Sequence, residues 1–225
     1  MSTEQIKEYY DELAAHYDEN RFQNAYGQYI DRQERNFLDR TLKSVSPTQC
    51  LDLGCGTGRL LNYADYGVDF SEEMLKVAQQ KYPHKTLLQG ELTQIPFEDS
   101  KFEVIFSFHV IMHQDMETTK KFVEHAHQKL KQGGKLIFDF PSQKRRKQVK
   151  HQQHNWHAAN QISISDIEKM LTAQWKLKFY QGFLFFPIHR IPTRFRPLFL
   201  NIDNLLCRSP LKEYASYLVV ILEKQ

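Results

Sequence analysis

The stretch Cys50-Leu51-Asp52-Leu53-Gly54-Cys55-Gly56-Thr57-Gly58 constrains this 225-residue chain more than any other part of it. A short apolar run after Pro47 ends in glycines at alternate positions, the pattern of a buried strand that turns abruptly into a helix. Gly54, Gly56 and Gly58 remove three β-carbons, so the backbone can bend sharply and a ligand can approach the main chain. A helix opening near Gly58 would aim unpaired amide N–H groups at that ligand.

Three kinds of glycine loop share this look, and spacing separates them. A phosphate-cradling loop closes on Gly-Lys-Ser/Thr, whereas Gly58 is followed by Arg59 and Leu60. A dinucleotide fingerprint would need a third glycine where Arg59 stands. What remains is an acidic-x-Gly-x-Gly-x-Gly loop from Asp52 to Gly58, with a second acid, Asp69, at the end of Tyr66-Gly67-Val68. A carboxylate at a second strand end is placed to accept hydrogen bonds from both ribose hydroxyls of a nucleoside. The pattern suits a nucleoside without a pyrophosphate.

These residues resemble the class I S-adenosylmethionine-dependent methyltransferases, and among them the small-molecule branch called methyltransferase type 11. After Leu51 to Gly58, the family's order continues with Gly67-Val68-Asp69-Phe70-Ser71-Glu72-Glu73-Met74-Leu75 and Gly90-Glu91-Leu92-Thr93-Gln94-Ile95-Pro96-Phe97. Phe102-Glu103-Val104-Ile105-Phe106-Ser107 and Leu130-Lys131-Gln132-Gly133-Gly134-Lys135-Leu136 complete it. The resemblance implies S-adenosylmethionine as cofactor and S-adenosylhomocysteine as product. It also implies a Rossmann-like, doubly wound α/β sheet of seven strands, mostly parallel with an antiparallel last strand, plus N-terminal helices and a small lid insertion. The cofactor would be held by Asp52, Gly54, Cys55, Gly56 and Gly58, by Asp69, Phe70 and Met74, by Glu91 and Leu92 at the adenine edge, and by Ser107 and Phe108 at the fourth strand's end. Glu91 stands where the family usually has aspartate. Tyr10 to Asp18 resembles the signature Tyr-Asp-x-x-Ala-x-x-Tyr-Asp, a segment that folds over the cofactor in this branch, bringing Tyr17 and, just beyond, Arg21 to pair with the cofactor's carboxylate.

Taken in order, Ser2-x-x-Gln5 reads as a capping box for a helix with Ile6, Tyr9, Tyr10 and Leu13 on one face. A second helix is expected over residues 29–44. Only 15 positions separate Gly54 from Asp69, which makes the first core helix short. Ser71 caps a helix to about Tyr82, ended by Pro83. Strands are expected at Lys85 to Leu88, Val104 to Phe108 and Lys135 to Phe140, with a helix from Lys120 to Leu130 ended by Gly133-Gly134. Beyond Pro141 come a helix from Ser165 to Ala173, a strand from Leu177 to Phe185 and a closing strand from Tyr214 to Glu223. The expected organisation is one domain over 1–225: an N-terminal helical cap (1–46), a cofactor-binding core (47–141), and a substrate-side half (142–225). The Arg-, Phe- and Pro-rich insertion 187–210 of that half is expected to line part of the acceptor pocket.

Composition sets the remaining bounds. Three scattered cysteines, Cys50, Cys55 and Cys207, give no disulfide framework and favour a reducing, cytoplasmic setting. No run of 18 apolar residues suggests a membrane span, and a formal charge of +3 is too mild to imply nucleic acid by itself. Lys144-Arg145-Arg146-Lys147 and Lys150 form a basic run ahead of His151, His154 and His157; no cysteine or paired carboxylate accompanies these histidines, so no metal is expected.

Methyl transfer from a sulfonium asks more of geometry than of acid–base chemistry, since holding the nucleophile in line supplies much of the acceleration. His109 and His113, four apart beyond the fourth strand, would share a face on a helical turn. Either could take a proton from an attacking hydroxyl or ammonium, with Tyr10 as a third catalytic candidate. Ser107-Phe108-His109-Val110 replaces the Asn/Asp-Pro-Pro-Tyr/Phe of enzymes that methylate nucleobase amines. The expected activity is therefore transfer to an O, N or C nucleophile of a small metabolite. RNA or tRNA modification, and a non-catalytic cofactor-binding protein on the same fold, stand as alternatives. The acceptor and the oligomeric state stay open.

Overall fold

Ile6, Tyr9, Tyr10 and Leu13 form the half-buried face of a helix at Thr3–Leu13 (α1) in a computed structural model that describes residues 3–149 and 162–225. Ser2 of the expected capping box, and Lys150, His151, His154, Trp156 and His157 of the basic, His-rich stretch, lie outside the described residues. A single 3-10 turn leads to Tyr17–Arg21 (α2). Asn24 then caps Ala25–Thr41 (α3), its side chain accepting from the N–H groups of Tyr26 and Gly27. The apolar run after Pro47 forms a fully buried strand, Cys50–Leu53 (β1), and Tyr66–Asp69 (β2) follows. Ser71 caps Glu72–Lys81 (α4), which leads to Thr86–Gln89 (β3), Phe102–Ser107 (β4) and Met116–Lys129 (α5). Leu130–Pro141 (β5), Gln143–Gln148 (α6) and Ile164–Met170 (α7) come next, and Trp175–Phe183 (β6), Arg196–Leu206 (α8) and Tyr217–Lys224 (β7) close the chain.

The strands make one seven-stranded sheet in the order β3-β2-β1-β4-β5-β7-β6. β1 pairs in parallel with both β2 and β4, so the order reverses between them, and ligands of open α/β sheets bind outside the carboxyl ends of strands at such a point. β7 is antiparallel to β5 and β6 and slots between them, as expected of the last strand. Two apolar layers cover the sheet: one gathers Leu51, Phe102, Phe122, Phe138 and Leu222, the other Phe37, Leu38, Phe106, Phe183 and Val219. Among the described residues no helix is long and apolar enough to cross a membrane.

The structure changes two local expectations. No α-helix opens at Gly58; the chain makes turns and one 3-10 turn at Leu61–Tyr63 before β2 begins. Too few residues separate β1 from β2 for a helix that could cross back over the sheet, so no helix dipole acts at the loop. Nor do Gly133 and Gly134 end a helix: α5 stops at Lys129, and β5 already pairs at Leu130 with Phe102. Gly133, at φ +74°, instead lies where the pairing register of β4 and β5 shifts.

Candidate active site

The glycine loop spends its amides internally. Gly54 and Cys55 donate to the Val68 carbonyl at 2.7 and 3.0 Å, which ties the turn after β1 to β2. Gly56 donates to Asp69 Oδ2 at 2.7 Å, and Ser71 to Asp69 Oδ1 at 2.9 Å. Gly54 has φ +81°, and a β-carbon there would stand 2.4 Å from Val110 Cγ2. The position therefore needs glycine for both conformation and space. Burial pushes the Asp69 carboxyl up to about 6, against the three backbone N–H groups that favour its charged form. A carboxylate offers about four lone-pair sites, so Asp69 keeps acceptors for further donors.

A cavity of about 340 Å³ opens at the carboxyl ends of β1, β2 and β4. Its walls carry Gly54, Gly56, Asp69, Phe70, Met74, Glu91, Leu92 and Phe108. A smaller recess of about 50 Å³ beside it is lined by Asp52, Cys55, Thr57 and Arg59, and Tyr17 borders both spaces. Burial raises the Asp52 carboxyl to about 8, with Arg59 pulling the other way. The N-terminal segment closes the cavity with Ile6, Tyr10 and Tyr17 and is pinned at several points. Ser71 Oγ donates to Asp11 Oδ1 at 2.5 Å, and Thr57 Oγ1 to Asp18 Oδ1 at 2.5 Å. Lys81 pairs with Asp18, and Tyr10 Oη lies 3.1 Å from His113 Nε2. Burial raises the Tyr10 phenol well above its ordinary value, so it keeps its proton at neutral pH.

Three of the sequence-predicted cofactor residues stand elsewhere. Arg21 donates to Tyr9 Oη at 3.0 Å from an exposed position and lines neither space, because α2 turns its last residue outward. Ser107 is fully buried, and Gly58 packs toward Leu61 and Tyr82.

The two histidines part ways, contrary to the shared helical face. His109 sits at φ +62°, which breaks any helix there, whereas His113 ends a 3-10 turn at Ile111–His113. Both rings border the cavity, but His109 is engaged on two sides. Its Nε2 is 2.6 Å from Glu34 Oε1, its Nδ1 is 3.7 Å from Asp139 Oδ2, and its backbone N–H donates to Asp139 Oδ1 at 2.7 Å. Burial alone would lower the His109 pKa; the Glu34 and Asp139 carboxylates outweigh it and raise it. Its two ring nitrogens thus face Glu34 and Asp139, which places His109 to hold those carboxylates in position. Glu34 also accepts from Arg59 Nη2 at 2.7 Å, Arg59 Nη1 reaches Asp31 at 2.7 Å, and Phe22 lies over the guanidinium at 4.2 Å. Burial opposes charge on Glu34, yet His109 and Arg59 hold its carboxyl down to about 2.

Residues 51–138 match a family model described as methyltransferase domain. That match runs from β1 through most of β5. An uncharacterized protein of Methanocaldococcus jannaschii is 34% identical over 137 residues, which cover 59% of this chain and 50% of that protein. A demethylmenaquinone methyltransferase of Renibacterium salmoninarum is 29% identical over 141 residues, 60% of this chain and 57% of that one. The chain thus spans little more than half the length of these relatives. Among solved structures, the magnesium protoporphyrin IX methyltransferase of Synechocystis with bound SAH superposes with a TM-score of 0.66, covering 100% of both chains at 17% identity, which shows a shared fold.

Two residues of the site, Glu34 and Asp139, were not expected although the sequence carries signals for them. Glu34 stands four residues after Ile30 and three before Phe37, on the apolar face of α3. Asp139 interrupts the apolar run Leu136-Ile137-Phe138 and Phe140 of a buried strand. A charge on a core face is rarely left unpaired. Gln114, Thr118 and Lys121, which border the cavity, had no signal, because only the packing of α5 beside β4 brings them there.

Proposed function

We propose that this chain transfers a methyl group from S-adenosylmethionine to an O, N or C nucleophile of a small molecule. The observation that carries the reading is Asp69, locked at the end of β2 by Gly56 and Ser71 N–H groups and facing the cavity with acceptor sites to spare. The residues fit the cofactor: Asp69 would take the ribose hydroxyls, Glu91 and Leu92 the adenine edge, and Phe70 and Met74 the faces of the base. Asp52, Cys55 and the glycine loop would border the amino-acid end, and Gly54 leaves the main chain bare where any side chain would intrude. When bound, the cofactor supplies an activated methyl group on a sulfonium centre. Tyr10 and Tyr17 over the cavity exclude water and present ring faces that favour a cation. The acceptor would enter toward His113, Gln114 and Thr118. There His113 takes the proton from an attacking hydroxyl or ammonium, oriented by Tyr10 at 3.1 Å.

Calorimetry with S-adenosylmethionine and S-adenosylhomocysteine tests the reading. Wild type should bind both, and Asp69→Ala should bind roughly a hundredfold more weakly, about 2–3 kcal/mol for charge-assisted hydrogen bonds to two hydroxyls. Absence of binding to wild type, or equal binding by the variant, overturns it.

A further inference from the structure

Six of the ten large apolar side chains that stand exposed among the described residues fall within 195–214: Phe195, Leu198, Ile202, Leu205, Leu211 and Tyr214. Leu198 and Leu205 are each 70% exposed and Ile202 is 52% exposed. Spaced four and three apart on α8, they share one face, since each residue advances a helix by about 100°. The opposite face is already used. Leu200 packs in a cluster with Tyr29, Ile30 and Ile188, while Asp203 is buried and accepts from Gln33 and the Phe186 N–H. α8 is therefore apolar on both sides, and its outer stripe has no cover among the described residues.

The rim of that stripe is basic. Arg190 and Arg194 are exposed ahead of α8, and Arg208 is exposed just past it. Asp203, buried on the inner face, is the one carboxylate between Pro187 and Lys212. No ion pair among the described residues reaches Arg190, Arg194 or Arg208. At the far end, Lys144 pairs with Glu213 at 2.7 Å, which brings α6 and its run Lys144-Arg145-Arg146-Lys147 up to Leu211 and Tyr214.

We propose that this face docks the protein on an anionic lipid surface, with Leu198, Ile202 and Leu205 entering the headgroup–acyl boundary and the flanking cations meeting lipid phosphates. A helix with an apolar stripe between cationic flanks has the make-up of an interfacial helix. Charge decides against the main competitor, a second copy of the chain. A two-fold pairing of α8 with itself would set Arg194 against Arg208, like charge against like, with no carboxylate to relieve it. A nucleic acid would satisfy the cations and leave the leucine stripe in water.

Co-sedimentation of the full chain with vesicles tests the proposal independently of cofactor or activity. Binding is expected to vesicles of phosphatidylcholine and phosphatidylglycerol in equal parts, to weaken on pure phosphatidylcholine, and to fall with added salt. Leu198→Asn with Leu205→Asn should weaken it at least about tenfold, through lost apolar insertion, without lowering the melting temperature, because both side chains are solvent-exposed. Arg190→Ser with Arg194→Ser should cost about fivefold per cation. The proposal fails if wild type stays in the supernatant with the anionic vesicles, or if the double leucine variant binds as wild type does. It fails equally if light scattering shows a dimer that the leucine changes split, which would assign the face to self-association.

Discussion

At the scale of single residues, Gly54 shows how one missing β-carbon serves the site. Alanine there would adopt a left-handed conformation costing about 1–2 kcal/mol and would meet Val110 Cγ2 at 2.4 Å. Gly54→Ala should therefore lower the melting temperature and weaken cofactor binding, and adding Val110→Ala should recover only the part due to the clash. Full recovery in the double variant would show that the backbone conformation is not strained. The two histidines should separate just as clearly. His109→Gln removes the ring nitrogen 2.6 Å from Glu34 Oε1 and leaves that buried carboxylate to Arg59 alone, so a stability loss of about 3 kcal/mol is expected from urea denaturation. His113→Gln should leave stability within about 1 kcal/mol but reduce turnover roughly a hundredfold, with cofactor affinity intact and the acidic limb of the pH–rate profile lost. Unchanged turnover in His113→Gln would leave the reaction to proximity alone.

Among the elements, the N-terminal segment is the one whose role is least dictated by its own pattern. α1 reads as an ordinary amphipathic helix, yet α1 and α2 together reach three separate parts of the site: Asp11 meets Ser71 at the start of α4, Asp18 meets Thr57 in the glycine loop, and Tyr10 meets His113 beyond β4. These are a few polar contacts, worth about 1 kcal/mol each, so the segment can open without unfolding the sheet. Removing residues 1–20 should abolish most turnover and raise the cofactor Kd, while the circular dichroism of the remaining chain keeps its helix and strand signals. A chain that turns over as before rules out the lid. The segment 187–210, expected to line the acceptor pocket, borders neither space; it packs on Tyr29 and Ile30 of α3.

For the molecule as a whole, buried acids set opposite pH slopes for stability and for binding. Burial raises Asp52 to about 8 and Asp69 and Asp139 to about 6, so the fold holds these protons more tightly than the unfolded chain does. Their contribution is fully present below the unfolded carboxylate range and is lost as pH rises through about 6 to 8. His109, raised by its carboxylates, has the same sign: its contribution is present below about 6.5 and is lost as pH climbs through the folded value. Glu34, held down to about 2, adds stability above about 4.5 that is lost as pH falls toward 2. On these groups the ligand-free protein should lose stability as pH rises from about 5 to 8, by about 1.4 kcal/mol per pH unit for each proton that the fold alone still holds. Cofactor affinity should rise over the same interval, because ribose hydroxyls favour the ionised Asp69. Melting curves and calorimetry across that range check both slopes, and a melting temperature that climbs steadily to pH 8 contradicts the first.

Local chemistry was enough for the strand–glycine–acid unit, because Asp52, Gly54 and Asp69 act through backbone conformation and strand ends that a few adjacent residues dictate. Ser71 as a helix cap and the buried run of β4 were legible for the same reason, with periodicity and capping written in consecutive positions, whereas the antiparallel course of the last strand was implied by the family resemblance alone. Tertiary structure alone decided what Arg59, His109 and Arg21 do. Twenty-five residues separate Glu34 from Arg59 and 75 separate it from His109, and nothing local says that α3 will set that carboxylate between them. An expected helix after Gly58 failed because residues 54–65 must make both the glycine turn and the return to a parallel β2, which leaves room for one 3-10 turn only. Pairing between distant charges is a property of packing, and packing is decided only when the sheet order β3-β2-β1-β4-β5-β7-β6 brings their elements side by side.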